Sequence, residues 1–267
     1  MLRRILTRRR ERQPEQRAVA AWYGSRLYAI GDIHGRRDLL DDVLHQIEAQ
    51  EAQSDRAPSE IIFLGDLIDR GPNSADVVER VVQLRASGRP VSVLLGNHEE
   101  IFLRILRGEF SLLPMFLKMG GRETVLSYGI TREEYDTLSN QALAERLRVL
   151  VPHEHFALFN DCDVMVFRGD YAFVHAGIRP GVALADQKEE DLRWIRSPFL
   201  ESNADHGRVI VHGHTVSEEP EMRANRIGID TGAVYSDRLT VLGIDGTRRW
   251  LFESSKAPGD TSRRRVA

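Results

Sequence analysis

Short apolar runs alternate with amphipathic stretches along the first hundred residues. Leu27-Tyr28-Ala29-Ile30, Ile61-Ile62-Phe63-Leu64 and Val91-Ser92-Val93-Leu94-Leu95 read as strands buried on both faces. Between them, Leu39, Leu40, Val43, Leu44 and Ile47 recur at the spacing that lines one face of a helix, and so do Val77, Val78, Val81, Val82 and Leu84. Ser74 is the expected N-cap of the second helix, and Gly88 and Pro90 end it. The order β-α-β-α-β implies a parallel sheet.

The pattern changes from Ile101 to Asn160. Phe102, Leu103 and Leu106, then Met115, Phe116 and Leu117, then Leu143, Leu147 and Leu150 predict several short helices, broken at Gly120-Gly121 and Tyr128-Gly129. This segment reads as a helical insert near residues 101–160 that covers one side of a site, not as a separate domain. Short apolar runs then return at Asp163–Phe167, Tyr171–Val174, Val209–Val211, Ile227–Ile229, Leu239–Ile244 and Trp250–Phe252. They predict a mostly β second half, with hairpins rather than crossovers.

Five of the runs end in polar clusters: Gly31-Asp32-Ile33-His34-Gly35, Gly65-Asp66-Leu67-Ile68-Asp69-Arg70-Gly71, Gly96-Asn97-His98-Glu99, His175-Ala176-Gly177 and His212-Gly213-His214-Thr215. Loops at the carboxyl ends of strands are where α/β sheets bind ligands. Asp32 and His34 are two apart, so an extended backbone would turn both to one side. Carboxylates, an amide and imidazoles together suit manganese, iron or zinc. Asp66 is placed to bridge two ions, and a pair ~3.5–4 Å apart clamps the attacking and leaving oxygens of a phosphate displacement. One histidine after a strand is ordinarily structural; five such clusters in one chain argue for a shared site.

Composition narrows the setting. Of 267 residues, 42% are hydrophobic and 29% charged, the balance of a soluble globular protein. A net charge of −3 supplies no field for nucleic acid. The single cysteine, Cys162, excludes an internal disulfide and suits a reducing cytoplasm, and the flanking Asp161 and Asp163 disfavour its thiolate. No run approaches the ~20 apolar residues of a membrane span. Arg3, Arg4, Arg8, Arg9, Arg10 and Arg12 make residues 1–25 a basic tail, expected to be disordered and suited to an acidic partner or anionic lipid. Residues 254–267 read as a second disordered tail, leaving 26–253 as the folded domain.

On the five clusters the chain resembles the phosphoprotein phosphatase family of calcineurin-like metallophosphoesterases, in its bacterial and phage-type serine/threonine branch. The resemblance spans roughly Leu27 to Phe252. It implies an α/β fold, a sandwich of two mixed sheets flanked by helices, and a dinuclear centre holding two divalent ions, manganese foremost, with iron, zinc or nickel as alternatives. Asp32, His34 and Asp66 would hold one ion, and Asp66, Asn97, His175 and His214 the other. His98 would protonate the leaving oxygen, oriented by Asp69, while Arg70 and Arg196, the latter in Trp194-Ile195-Arg196, would bind phosphate oxygens. Spacing alone does not decide between His212 and His214 as a ligand; the family pattern favours His214 and leaves His212 beside the ligands or in the core. The implied reaction is phosphomonoester hydrolysis by a metal-bridging hydroxide, with a phosphorylated protein or peptide as substrate. Hydrolysis of diadenosine tetraphosphate or another nucleotide is the alternative within the fold. A catalytically inactive phosphate-binding module is the alternative from another class.

Overall fold

The structure is a computed structural model that describes residues 19–21, 26–53 and 58–254, and the backbone at 264–265. The expected tails, 1–25 and 254–267, fall outside the described residues apart from 19–21, Ser254 and that backbone. The strands are β1 (Arg26–Ile30), β2 (Glu60–Phe63), β3 (Val91–Val93), β4 (Met165–Arg168), β5 (Tyr171–Val174), β6 (Val209–His212), β7 (Glu221–Met222), β8 (Arg226–Gly228), β9 (Thr240–Asp245), β10 (Arg248–Glu253) and β11 (Arg264–Arg265). They form two mixed sheets, one ordered β11-β10-β9-β1-β2-β3 and one ordered β4-β5-β6-β8-β7.

The apolar runs are continuous because both faces of each sheet are covered. Leu27, Ala29, Ile62 and Leu64 of the first sheet pack against Tyr171, Phe173, Val209 and Val211 of the second. The alternate residues Tyr28, Ile30, Ile61 and Phe63 face the other way, onto α1 (Arg37–Glu51) and α2 (Ser74–Ala86). Ala172, Val174 and Ile210 on the outer face of the second sheet meet Leu192, Ile195 and Phe199. Burying each large aliphatic side chain here contributes about 1.5–3 kcal/mol.

β1, β2 and β3 pair in parallel, as the alternating pattern implies. The second half departs from the expected hairpins. β4–β5 and β9–β10 are antiparallel, but β5–β6 and β6–β8 are parallel. The β5–β6 crossover carries a 3₁₀ turn at Leu184–Asp186 and the six-residue α-helix Glu189–Trp194, both too short to leave an amphipathic signature. Ser74 begins α2 without capping it; Asn73 takes the N-cap position, and the Ser74 hydroxyl is engaged elsewhere.

The segment after β3 folds as α3 (Asn97–Leu106), α4 (Leu113–Phe116), α5 (Arg122–Ser127), α6 (Arg132–Thr137), α7 (Asn140–Leu150) and α8 (His153–Asn160). Phe102 stacks on Phe116 and Tyr128, with ring centroids 5.3 and 5.8 Å away, and meets the edge of Phe159. These rings share one apolar cluster with Val77, Val78 and Val81 of α2, so the insert and the first sheet have a common core. Two further helices are α9 (Glu189–Trp194) and α10 (Ala233–Ser236). Among the described residues, no helix is long and apolar enough to cross a membrane.

Candidate metal centre

The carboxyl ends of β1, β2, β3, β5 and β6 lie together, and the polar clusters that follow them converge. Two groups of donors result: His34, Asp66 and His98, and Asp66, His175 and His214, with the donor atoms of each group within 4.8 Å of one another. Asp66 belongs to both. All five residues are buried.

The chain reaches this arrangement through unusual backbone. Among the described residues, the non-glycine residues with positive φ are His34 (47°), Asp66 (50°), Asp69 (73°), Arg70 (66°), His214 (63°) and Asp237 (58°). All but Asp237 come from the predicted site. Left-handed backbone costs a non-glycine residue about 1–3 kcal/mol and persists where its surroundings over-determine it. His34 therefore does not follow Asp32 in extended form, as the two-residue spacing suggested. It turns back on a left-handed residue, and its Nδ1–H donates to the Ile68 carbonyl at 2.7 Å.

That bond leaves the His34 Nε2 lone pair directed at the site. His175 repeats the device: Nδ1–H donates to the Leu64 carbonyl at 2.7 Å. Its Nε2 then faces Asn97 Oδ1 at 3.0 Å and Asp66 Oδ1 at 3.5 Å. Three lone-pair donors meet there with no proton between them, which is what a cation satisfies. His214 Nδ1–H donates to Asn97 Oδ1 at 2.9 Å, and its Nε2 is buried without a hydrogen-bond partner. Burial pushes His34 and His214 down to about 3 and lowers His175, so all three are neutral at pH 7, the form that ligates metal. Burial, then the neighbouring Asp230 and Asp66, push Asp32 well above the carboxylate range, and burial raises Asp230 to about 6. This surplus of buried negative charge and lone pairs fits divalent ions.

The Asp32 carboxylate accepts from the His214 backbone N–H at 3.0 and 3.2 Å, and Asp32 is not part of the His34–Asp66–His98 group. His98 Nδ1–H donates to Asp69 Oδ2 at 2.6 Å, so the loops after β2 and β3 meet. Burial opposes protonation of His98, but the Asp66 charge and the Asp69 hydrogen bond outweigh it, and the His98 pKa rises. Arg70 spans the first group, donating from one guanidinium nitrogen to His34 Nε2 at 2.8 Å and from the other to His98 Nε2 at 2.9 Å. Arg196 is exposed at the rim and acts through its charge on His175 and His214. His212 joins neither group; it is buried edge-on to Phe199, with ring centroids 5.0 Å apart, and donates to the Gly213 carbonyl.

Three residues matter here without having announced themselves. Glu99 is fully buried and accepts from four backbone N–H groups, those of Asp66 (2.8 Å), Leu67 (2.8 Å), Ile68 (3.2 Å) and Gly96 (3.1 Å). One carboxylate thus ties the β2 exit to the β3 exit and holds Asp66 in its left-handed conformation. Burial and the Asp66 charge raise its pKa, while the four donors favour its anion. Thr124 of α5, also fully buried, donates to Asp69 Oδ1 at 2.6 Å and accepts from the Asp69 N–H at 2.9 Å. Ser74 Oγ takes the same N–H at 3.0 Å and lies 2.9 Å from the Thr124 hydroxyl. The insert also touches the loop at Gly120, whose carbonyl accepts from Arg70 N–H at 2.9 Å. The insert buttresses the loop that carries Asp69 and Arg70. Glu99 sat in a motif already noted, but its partners are tertiary; Thr124 and Ser74 carry no local signal.

Comparison with known proteins accords with this arrangement. Residues 25–230 match the model of the calcineurin-like phosphoesterase family. An asymmetrical bis(5'-nucleosyl)-tetraphosphatase, PrpE, of Anoxybacillus flavithermus is 28% identical over 232 residues, 80% of this chain and 88% of that protein. Its namesake in Bacillus velezensis is 29% identical over 253 residues, 88% of this chain and 94% of that protein. A protein serine/threonine phosphatase structure from Saccharomyces cerevisiae superposes with a TM-score of 0.57 at 16% identity, covering 89% of this chain and 82% of that one. With the family match running through every cluster from Asp32 to His214, the chain belongs to the calcineurin-like phosphoesterases.

Proposed function

We propose that this protein hydrolyses dinucleoside tetraphosphates asymmetrically, as a metal-dependent phosphohydrolase. The observation that carries the chemistry is the pair of donor groups sharing Asp66, with the Asp69–His98 hydrogen bond at their edge. The substrate class follows the PrpE relatives, which match most of the chain. The expectation of a protein phosphatase gives way on this point, because its support among the comparisons is a likeness of fold at 16% identity.

Two divalent ions held by Asp32, His34, Asp66, Asn97, His175 and His214 would neutralise phosphate charge and acidify a water for in-line attack. The chain's own groups do the rest. His98 presents Nε2 to the leaving oxygen and supplies its proton, with Asp69 fixing the tautomer from Nδ1. Arg70 swings from the imidazoles to phosphate oxygens, where its planar donors match them in pairs. Arg196 adds charge from the rim.

Protein phosphatase action remains as a second reading, favoured by Arg196. Trp194 Nε1–H donates to Glu100 at 2.8 Å and Ile195 is buried, which anchors the segment and leaves Arg196 at the rim. The two readings separate in one experiment. Protein stripped by chelator and reloaded with manganese is assayed on diadenosine tetraphosphate, a phosphothreonine peptide and p-nitrophenyl phosphate. We expect activity only after reloading, the highest kcat/KM on the dinucleotide, and unequal products, a monophosphate and a triphosphate. A higher kcat/KM on the peptide would transfer the reading to protein phosphatase; full activity without metal would refute both.

A further inference from the structure

The segment after β8 is fastened to the metal centre from three sides. Arg36, two residues after His34, donates to the Ala233 carbonyl at 3.0 Å and to Asp237 Oδ1 at 2.7 Å. Ser217, three residues after His214, donates its N–H to the Asp230 carbonyl at 3.0 Å. The Asp230 carboxyl receives the Gly232 N–H at 2.9 Å and faces Asp32. Both residues flanking α10, Gly232 and Asp237, are left-handed, at 70° and 58°. The backbone of α10 is therefore fixed at the mouth of the site.

This rigid turn nonetheless turns an aromatic ring outward. Tyr235 is 71% exposed, and Val216, two residues after His214, is 50% exposed. They flank Gly232: a Cβ built there would lie 3.0 Å from Val216 Cγ1 and 3.5 Å from Tyr235 Cδ2. Ring and isopropyl group thus form one apolar step over a residue with no side chain. The nearby cations are already matched. Arg36 pairs with Asp38 and Asp237, and Arg238 with Glu219 and Glu253. An apolar step of this kind suits an uncharged, flat group.

We infer that Tyr235, backed by Val216, is the stacking platform for a nucleobase of the dinucleoside polyphosphate. The inference rests on the proposed function and adds to it the residue that selects nucleotides over simple phosphates. A platform of this kind is tolerant of base identity, because every base offers a π-face.

The test uses full-length, manganese-loaded protein. Removing one base–aromatic stack weakens binding roughly five- to 150-fold. For Tyr235→Ala, KM for diadenosine tetraphosphate should rise by about that factor, and the ratio of kcat/KM on the dinucleotide to that on p-nitrophenyl phosphate should fall to match. Tyr235→Phe should restore both, since the ring and not the hydroxyl does the stacking. Calorimetric titration with a non-hydrolysable dinucleotide analogue should show the same loss in affinity. If wild-type protein cleaves the dinucleotide and Tyr235→Ala leaves that ratio unaltered, the platform is refuted and the proposed function stands. If wild-type protein leaves the dinucleotide intact while cleaving the phosphopeptide, the proposed function fails and the platform falls with it.

Discussion

Replacing Thr124 by valine tests whether the insert serves the chemistry or merely the fold. Valine keeps the shape and removes a hydroxyl that donates to the Asp69 carboxylate, accepts from the Asp69 N–H and lies against the Ser74 hydroxyl. Asp69 is fully buried and accepts one hydrogen bond on each oxygen, from His98 on Oδ2 and from Thr124 on Oδ1. The variant leaves Oδ1 bare. The Asp69 N–H keeps the Ser74 hydroxyl, so no backbone donor is orphaned. A hydrogen bond to a charged group contributes about 1.5–3 kcal/mol, so Thr124→Val should lose about 2 kcal/mol of stability. The kinetic cost is a fraction of the roughly 10²–10⁴ that general acid catalysis supplies, because the His98 bond survives. We expect about a ten-fold fall in kcat for poorly leaving alkyl phosphates, dwindling toward none for p-nitrophenyl phosphate. The assay is a plot of log kcat against leaving-group pKa over a series of phosphate esters, with manganese content measured alongside. Thr124→Val should steepen the slope at wild-type metal content, and Thr124→Ser should return it. An equal loss across the series, or lost stability with an unchanged slope, would show that Thr124 only packs.

Two further outcomes follow from the same scaffold. Glu99→Gln puts an amide donor against two of the four N–H groups that the carboxylate now accepts; manganese affinity measured by calorimetry should weaken about 10–100-fold, the usual cost of losing a group that orients a ligand. Wild-type affinity would show that Asp66 is held without Glu99. Gly120→Ala places a methyl 2.7 Å from Arg70 Cγ at a φ of 109°, so it should cost about 1–3 kcal/mol in thermal unfolding and raise KM for phosphate esters as Arg70 is displaced. An unshifted KM would separate Arg70 from the insert.

The alternation of apolar run and amphipathic stretch identified β1, α1, β2, α2 and β3, because a sheet covered on both faces leaves few polar residues in its strands. Polar residues placed where those runs stop marked the site, since a carboxylate or imidazole at a strand exit has to face either solvent or a ligand. Hydropathy carries no record of backbone sign, however. The left-handed turns at His34, Asp66, Asp69, Arg70 and His214 are held by tertiary hydrogen bonds such as those of Glu99; aspartate and histidine tolerate that backbone better than most residues, but the tolerance is too weak to mark these positions in advance. Thr124 looks like any polar helix residue until α5 is laid against the loop after β2. The parallel joins β5–β6 and β6–β8 were equally hidden, because their connections are loops and one short helix instead of the long amphipathic helix that signals a crossover.

The strand order of the first sheet has a consequence for biosynthesis. β1, which delivers Asp32 and His34, is flanked by β2 on one side and by β9 on the other, and β9 begins at Thr240. Asp32 meets the His214 amide across 182 positions of chain. While a ribosome is still translating the helical insert, the nascent chain can pair β1 with β2 and β2 with β3, yet two of the six proposed ion ligands, His175 and His214, have not been synthesised and one edge of β1 is bare. Such non-local pairings are slow to form and leave unpaired edges exposed. Completion of the proposed donor set thereby waits for His214, and the nascent chain's exposed β1 edge is a place for a chaperone to engage until β9 closes it.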